Sequence, residues 1–222
     1  MKNEDITEFI RSRFSVRQFT NKDVPEKLIK RIIETGISAP SACNVQGWRF
    51  VIVKDKTTKL DLINKGIDKL QNVPAGIFVF YTNQRINKKY NDQYQSAAAC
   101  IQNMLLEAHN LGLGACWICD LPDKNIINSL LNVPLDYYPI AMIKLGYPNK
   151  NVKKIVFSKF SVDELTHLEK FNPDKDKCIT KSVFKPNRPS YRLKRILTEP
   201  RSVAKYIFRK ITQYFNFLKS KK

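Results

Sequence analysis

Residues 93–111 constrain the fold more than any other stretch. Ala97-Ala-Ala-Cys-Ile101 is apolar on every side, and Met104, Leu105, Leu106, Ala108 and Leu111 continue the pattern. A helix without a polar face has to be covered all round. The stretch therefore reads as a long, buried, central helix whose alanines admit a second backbone close by, with Gly112 placed to stop it. Gly76-Ile-Phe-Val-Phe-Tyr81 is nearly all apolar too, the pattern of a strand covered on both faces.

The other elements suit a mixed sheet flanked by helices. Residues 5–11 have helical spacing, with Ile6, Phe9 and Ile10 on one face. Residues 24–37 form an amphipathic helix with Pro25 in its first turn and Leu28, Ile29, Ile32 and Ile33 turned inward. Pro40 ends it, having no N–H to donate. Trp48-Arg-Phe-Val-Ile-Val53 reads as a strand. Residues 56–70 read as one helix with Leu60, Ile63 and Ile67 apolar, 122–131 as a short helix and 138–148 as the last strand.

Two short polar motifs stand out. In Arg13-Phe-Ser-Val-Arg-Gln-Phe19, an extended backbone puts Arg13, Ser15 and Arg17 on one side and Phe14 and Val16 on the other. Two guanidiniums flanking a hydroxyl suit a phosphate; the plainer reading is a solvated basic stripe. In Ala39-Pro-Ser-Ala-Cys-Asn-Val-Gln-Gly-Trp48, Ser41, Asn44 and Gln46 sit between a helix and a strand, a common setting for a small-molecule site. The plainer reading is a connection whose polar groups satisfy its own backbone.

With residues 102–118 as a third block in the same order, these motifs resemble the FMN-dependent nitroreductase family, whose signatures are Arg-x-Ser-x-Arg-x-Phe and Ala-Pro-Ser-x-x-Asn-x-Gln-Pro-Trp. Leu145-Gly-Tyr-Pro148 also occurs in that family. Gly47 stands where the family has proline, which is expected to loosen the loop. The resemblance covers roughly residues 10–170. It implies an α+β, nitroreductase-like fold and a homodimer with two flavins at its interface. One subunit would supply the Arg-x-Ser-x-Arg side and the other part of the Pro-Ser-x-x-Asn loop.

By the same resemblance, Arg13 and Ser15 would hold the FMN phosphate and ribityl chain, with Phe14 also binding the cofactor. Arg17 would lie by the flavin N1–C2=O edge as an electrostatic stabiliser. Pro40, Ser41, Ala42, Asn44 and Gln46 would come from the loop. Ile118 and Cys119 would lie at a strand end against the ring, where the family usually has glycine near 119. A basic residue beyond Pro148 would complete the phosphate site, with Lys153, Lys154 and Lys159 as candidates and Lys159 carried forward. The implied activity is ping-pong transfer of electrons from NAD(P)H through FMN to a small flat acceptor such as a nitroaromatic or quinone. The cofactor carries that chemistry, and no catalytic dyad is required.

Other motifs carry less. Cys116-Trp-Ile-Cys119 lies in a strand pattern rather than opening a helix, so a thioredoxin-like pair is disfavoured. Too few further ligands are suitably spaced for structural zinc, and no metal is expected. His109 reads as a satisfied interior or groove histidine. No Gly-x-Gly-x-x-Gly follows a strand, so a separate dinucleotide site is not supported.

Charge divides the chain. The net charge is +19, and residues 172–222 hold 15 Lys and Arg against 3 Asp and Glu. Residues 1–171 read as the flavin-binding domain and 172–222 as a basic extension with an amphipathic helix. That helix suits docking on the protein or an anionic membrane surface better than nucleic acid. An alternative function follows: a degenerate flavin domain acting as an interaction or membrane-surface module through its tail. With no signal-peptide pattern and no long apolar run, a cytoplasmic location is expected, at most peripheral at the inner membrane face.

Overall fold

The fold is described from a computed structural model, which covers residues 5–83, 89–152 and 161–173. The chain divides into two compact units, Met1–Val156 and Phe157–Lys222. The larger unit runs α1 (Ile6–Ser12), α2 (Glu26–Ile37), β1 (Trp48–Val53), α3 (Lys56–Asn64), β2 (Ala75–Thr82), α4 (Asp92–Asn110), β3 (Gly114–Ile118), α5 (Lys124–Leu130) and β4 (Tyr137–Gly146). The strands pair antiparallel in the order β1-β2-β4-β3. A parallel bridge, Ser15 to Ala115, adds the mixed component at the β3 edge.

β2 is central, and its alternation serves two cores. Ile77, Val79 and Tyr81 pack with Ile29 and Ile32 of α2 and Ala97, Ile101 and Met104 of α4. Phe78 and Phe80 pack on the other face with Leu62 of α3, Ile127 of α5 and Met142 of β4. Each fully buried aliphatic or aromatic side chain here contributes about 1.5–3 kcal/mol, so these two clusters hold the sheet between its helices. α4 lies where its sequence requires, with Ala97, Cys100, Ile101, Met104 and Ala108 fully buried. Its polar residues Gln95, Gln102 and Asn110 still reach solvent, so coverage is not complete all round. The helix ends at Gly112, φ +70°, where Leu113 N donates to Ala108 O at 2.8 Å, a six-to-one closure that glycine allows at least cost.

Residues 56–70 do not form one helix. α3 stops at Asn64, Gly66 takes φ +101°, and Ile67 N donates to Leu62 O at 3.0 Å. This is the same terminating turn as at Gly112. A single 3₁₀ turn, Asp68–Leu70, follows. Within α3 the buried face is also not the expected one: Leu62 is 1% exposed and Leu60 57% exposed. α1 forms as its spacing predicts but buries none of its residues, and Ile6 and Ile10 are 66% and 47% exposed.

In the smaller unit, α6 (Val162–Leu165) starts with a reciprocal cap between Ser161 and Glu164. Just beyond it, His167 stacks on Phe171. The expected tail helix, in residues 189–222, lies outside the described residues. Among those described, no helix is long and apolar enough to cross a membrane.

Candidate functional site: two donor sets on opposite sheet edges

The first polar motif runs along the β3 edge. The backbone leaves α1 extended at Arg13, and Val16 N donates to Ala115 O at 3.0 Å. Gln18 O accepts from Asn149 N, and Phe19 bridges to Pro148. Val16 and Phe19 are buried with Val73. That anchoring leaves Arg17 exposed and Arg13, Phe14 and Ser15 half-buried. Gly114 makes the pairing possible, because a Cβ there would lie 2.7 Å from the Val16 side chain. Arg17 Nη1 makes a long contact, 3.5 Å, to Ser15 O. Among the described residues no carboxylate pairs with Arg13 or Arg17. Arg13 and Phe14 also wall a cavity of about 220 Å³ closed by Leu105, His109 and Pro148.

Ile118 and Cys119 end β3 on the same edge of the sheet. The Ile118 side chain packs into the Phe80–Met142 cluster, so it offers a neighbouring ligand mainly backbone. Cys119 is exposed, while Cys116 is buried.

The second motif turns sharply before β1. Cys43, Asn44 and Gln46 all have left-handed backbone, with φ of 49°, 55° and 49°. Only asparagine among these tolerates that region readily, so the loop stores strain, which tends to collect at ligand sites. Ser41 Oγ accepts from Gln46 N at 3.1 Å, and Gln46 Nε2 donates to Asn44 Oδ1 at 3.0 Å. The loop's polar groups thus bond one another, as the plainer reading had it, and Asn44 and Gln46 remain exposed. Pro40 is exposed and Ala42 half-buried.

Gly47 does not act as a slack point. It is buried, its carbonyl accepts from Thr82 N at 3.0 Å, and a Cβ would meet Tyr81 and Thr82 at 2.6 Å. Ser96 is the anchor that sequence reasoning missed. Its Oγ accepts from Ala42 N at 3.2 Å and its carbonyl from Trp48 Nε1 at 3.1 Å. The available signal was a lone hydroxyl opening the alanine run of α4.

The two donor sets lie far apart within one chain. Trp48 registers with Tyr81 and then Tyr138, whereas Ser15 registers with Ala115 and then Leu145. Four strand spacings across and seven residues along the sheet put Trp48 and Ser15 about 30 Å apart. Lys159, with Lys153 and Lys154, lies outside the described residues. His109 is half-buried and bonded to Ser12, as a satisfied groove histidine should be.

Fold and donor sets together define an α+β protein whose candidate ligand groups are divided between opposite edges of one sheet. The chain belongs to the nitroreductase family: the model described as "Nitroreductase family" matches residues 10–79 and 64–147. It is 31% identical over 172 residues to the "Putative NADH dehydrogenase/NAD(P)H nitroreductase" of Methanothermobacter thermautotrophicus, covering 75% of this chain and 88% of that one. A solved structure from Desulfovibrio desulfuricans, a "putative nitroreductase in complex with fmn", is 30% identical, with TM-score 0.64 over 76% of this chain and 99% of its own. The "FMN-dependent Nitroreductase" of Clostridium difficile R20291 is 25% identical, with TM-score 0.63 over 73% and 98%. The family and the α+β fold expected from the sequence are therefore borne out.

Proposed function

We propose that this protein is an FMN-dependent oxidoreductase that passes electrons from NAD(P)H to a small flat acceptor such as a nitroaromatic or quinone. One observation carries the reading. Among the described residues no carboxylate pairs with Arg13 or Arg17, which stand on either side of Ser15 in sequence along an anchored backbone. That donor chemistry fits the phosphate and sugar-alcohol chain of a flavin mononucleotide. The names of the relatives and the FMN bound in the Desulfovibrio desulfuricans structure support it. When bound, FMN supplies the hydride and electron-transfer chemistry that no side chain can.

The chain supplies position and charge. Arg13 and Ser15 hold the phosphate and ribityl chain, with Phe14 beside them in the cofactor site. Arg17 keeps a fixed positive charge at the pyrimidine edge of the ring. Ile118 and Cys119 border the ring from the end of β3. Pro40, Ser41, Ala42, Asn44 and Gln46 reach the same flavin from a second subunit, because they lead into the β1 edge whereas Arg13 leads into the β3 edge, where Ser15 is about 30 Å from Trp48. The working unit is then a homodimer with two sites. Nicotinamide and acceptor take turns at one flavin face, in ping-pong order, as suits a sequence without Gly-x-Gly-x-x-Gly after a strand.

Residues 1–171 form the flavin-binding domain in this proposal and 172–222 a basic extension. The enzyme works in the cytoplasm. The charge surplus of the extension favours contact with an anionic membrane surface as its second property.

The test is the visible absorption spectrum of the purified protein, with the released chromophore identified after heating. The expected result is a yellow protein releasing about one FMN per subunit, with parallel double-reciprocal plots when NAD(P)H and a quinone are varied. A colourless protein that takes up no added FMN would refute the proposal.

A further inference from the structure

We infer that the Ser12–His109 hydrogen bond is a positioning device for Arg13, setting the phosphate end of the proposed flavin site while leaving its ring end untouched. The inference rests on the function proposed above. Ser12 is the last residue of α1 and immediately precedes Arg13. Its Oγ lies 2.8 Å from His109 Nε2 on α4 and 2.8 Å from Phe9 O. A hydroxyl has one proton. The assignment that satisfies both contacts has Ser12 donating to Phe9 O and His109 Nε2 donating to Ser12. The Phe9 and His109 rings meet at 5.3 Å, closing the same corner.

The consequence lies in how the following residues are held. α1 buries none of its residues, and the Ser12–His109 bond ties its last turn to α4. The second anchor comes at Ser15–Val16, where Ser15 bridges to Ala115 and Val16 N donates to Ala115 O. Arg13 and Phe14 therefore span two fixed points, and both face the cavity that His109 also lines. Without the Ser12–His109 bond, the approach to Arg13 is held less firmly. Its guanidinium then has to be ordered when the ligand binds, at the expense of affinity. Arg17 lies beyond the second anchor and keeps its place. His109 is thus a positioning residue acting through Ser12.

The test uses the full chain stripped of flavin, titrated with FMN and separately with riboflavin, which lacks the phosphate, by quenching of flavin fluorescence. Ser12→Ala removes the acceptor with a good helix former. His109→Phe keeps a ring against Phe9 but has no donor. His109→Gln restores an amide N–H near the Nε2 position. Ser12→Ala and His109→Phe are each expected to weaken FMN about 3- to 10-fold, the size of one partly buried neutral hydrogen bond. Riboflavin should stay within about 2-fold, with the two substitutions non-additive in the double variant. His109→Gln should recover most of the FMN affinity.

Unchanged FMN affinity in Ser12→Ala, or equal losses for both flavins, would overturn the inference and leave the proposed function standing. A wild-type chain that binds FMN no better than riboflavin would overturn the phosphate assignment, and this inference with it. If His109→Phe does not fold, Ser12→Ala alone decides.

Discussion

Dividing the candidate site between opposite sheet edges makes complementation between damaged subunits its sharpest test. One chain carries Arg13→Ala and Arg17→Ala, which disable the β3 edge. The other carries Ser41→Ala and Asn44→Ala, which disable the loop before β1. In either homodimer both sites lack one half. In a mixed dimer, one site collects both damaged halves and the other both intact ones. Equal mixing with free exchange in a two-fold dimer makes half of the dimers mixed, so about one quarter of all sites recover. The separation behind this comes from the register: Trp48 to Ser15 is four strand spacings across and seven residues along, about 30 Å on the diagonal. The assay is bound flavin per subunit after co-refolding, repeated on mixed dimers isolated with two affinity tags, where about half of the sites should fill. Mixed dimers that bind no more flavin than either parent would place the whole site within one chain and refute the reasoning.

Three further outcomes are expected. Gly114→Ala drives a methyl to 2.7 Å from Val16, so urea unfolding should show about 1–3 kcal/mol lost to overpacking, with weaker flavin binding. Burial pushes the Cys100 thiol up to about 12. The folded state therefore holds its proton longer than the unfolded chain, and stability should fall as pH rises from about 9 towards 12, a slope that Cys100→Ala should reduce. The Asp55 carboxyl is held down at about 2, first by the Thr57 hydroxyl and then by the Thr58 backbone N–H. Its contribution to the start of α3 should be present above about pH 4 and vanish as pH falls through 2. Acid melts of Asp55→Ala should lack that component.

Much of the scaffold could be read from residue order, for identifiable reasons. α4 and β2 were legible because Ala97–Ile101 and Ile77–Phe80 leave no polar side to expose. β2 lies between two cores, and α4 packs its apolar side into one of them. The break after α3 was missed because Leu60, Ile63 and Ile67 fit one helical stripe, whereas Gly66 lets the chain turn and brings Ile67 and Leu70 inward after the turn. The exposed face of α1 was equally unreadable: spacing says which residues share a face, not whether anything covers it.

The candidate site was legible as two motifs but not as a geometry. Nothing local in Arg13–Phe19 or Pro40–Gln46 says which sheet edge each will occupy, because that follows from the order of β3 and β4. Ser96 escaped notice since its two bonds reach Ala42 and Trp48, more than forty positions away.

The left-handed backbone at Cys43 and Gln46 has a consequence for directed evolution. Glycine at either position would relieve about 1 kcal/mol of steric strain, and a screen for heat tolerance alone would be drawn to both. The same changes would free the turn that aims Ser41 and Asn44. Thermostable winners should therefore emerge pale, with flavin occupancy falling as melting temperature climbs. Selecting on colour as well as survival would keep these two positions as they are and steer improvement towards the exposed face of α1.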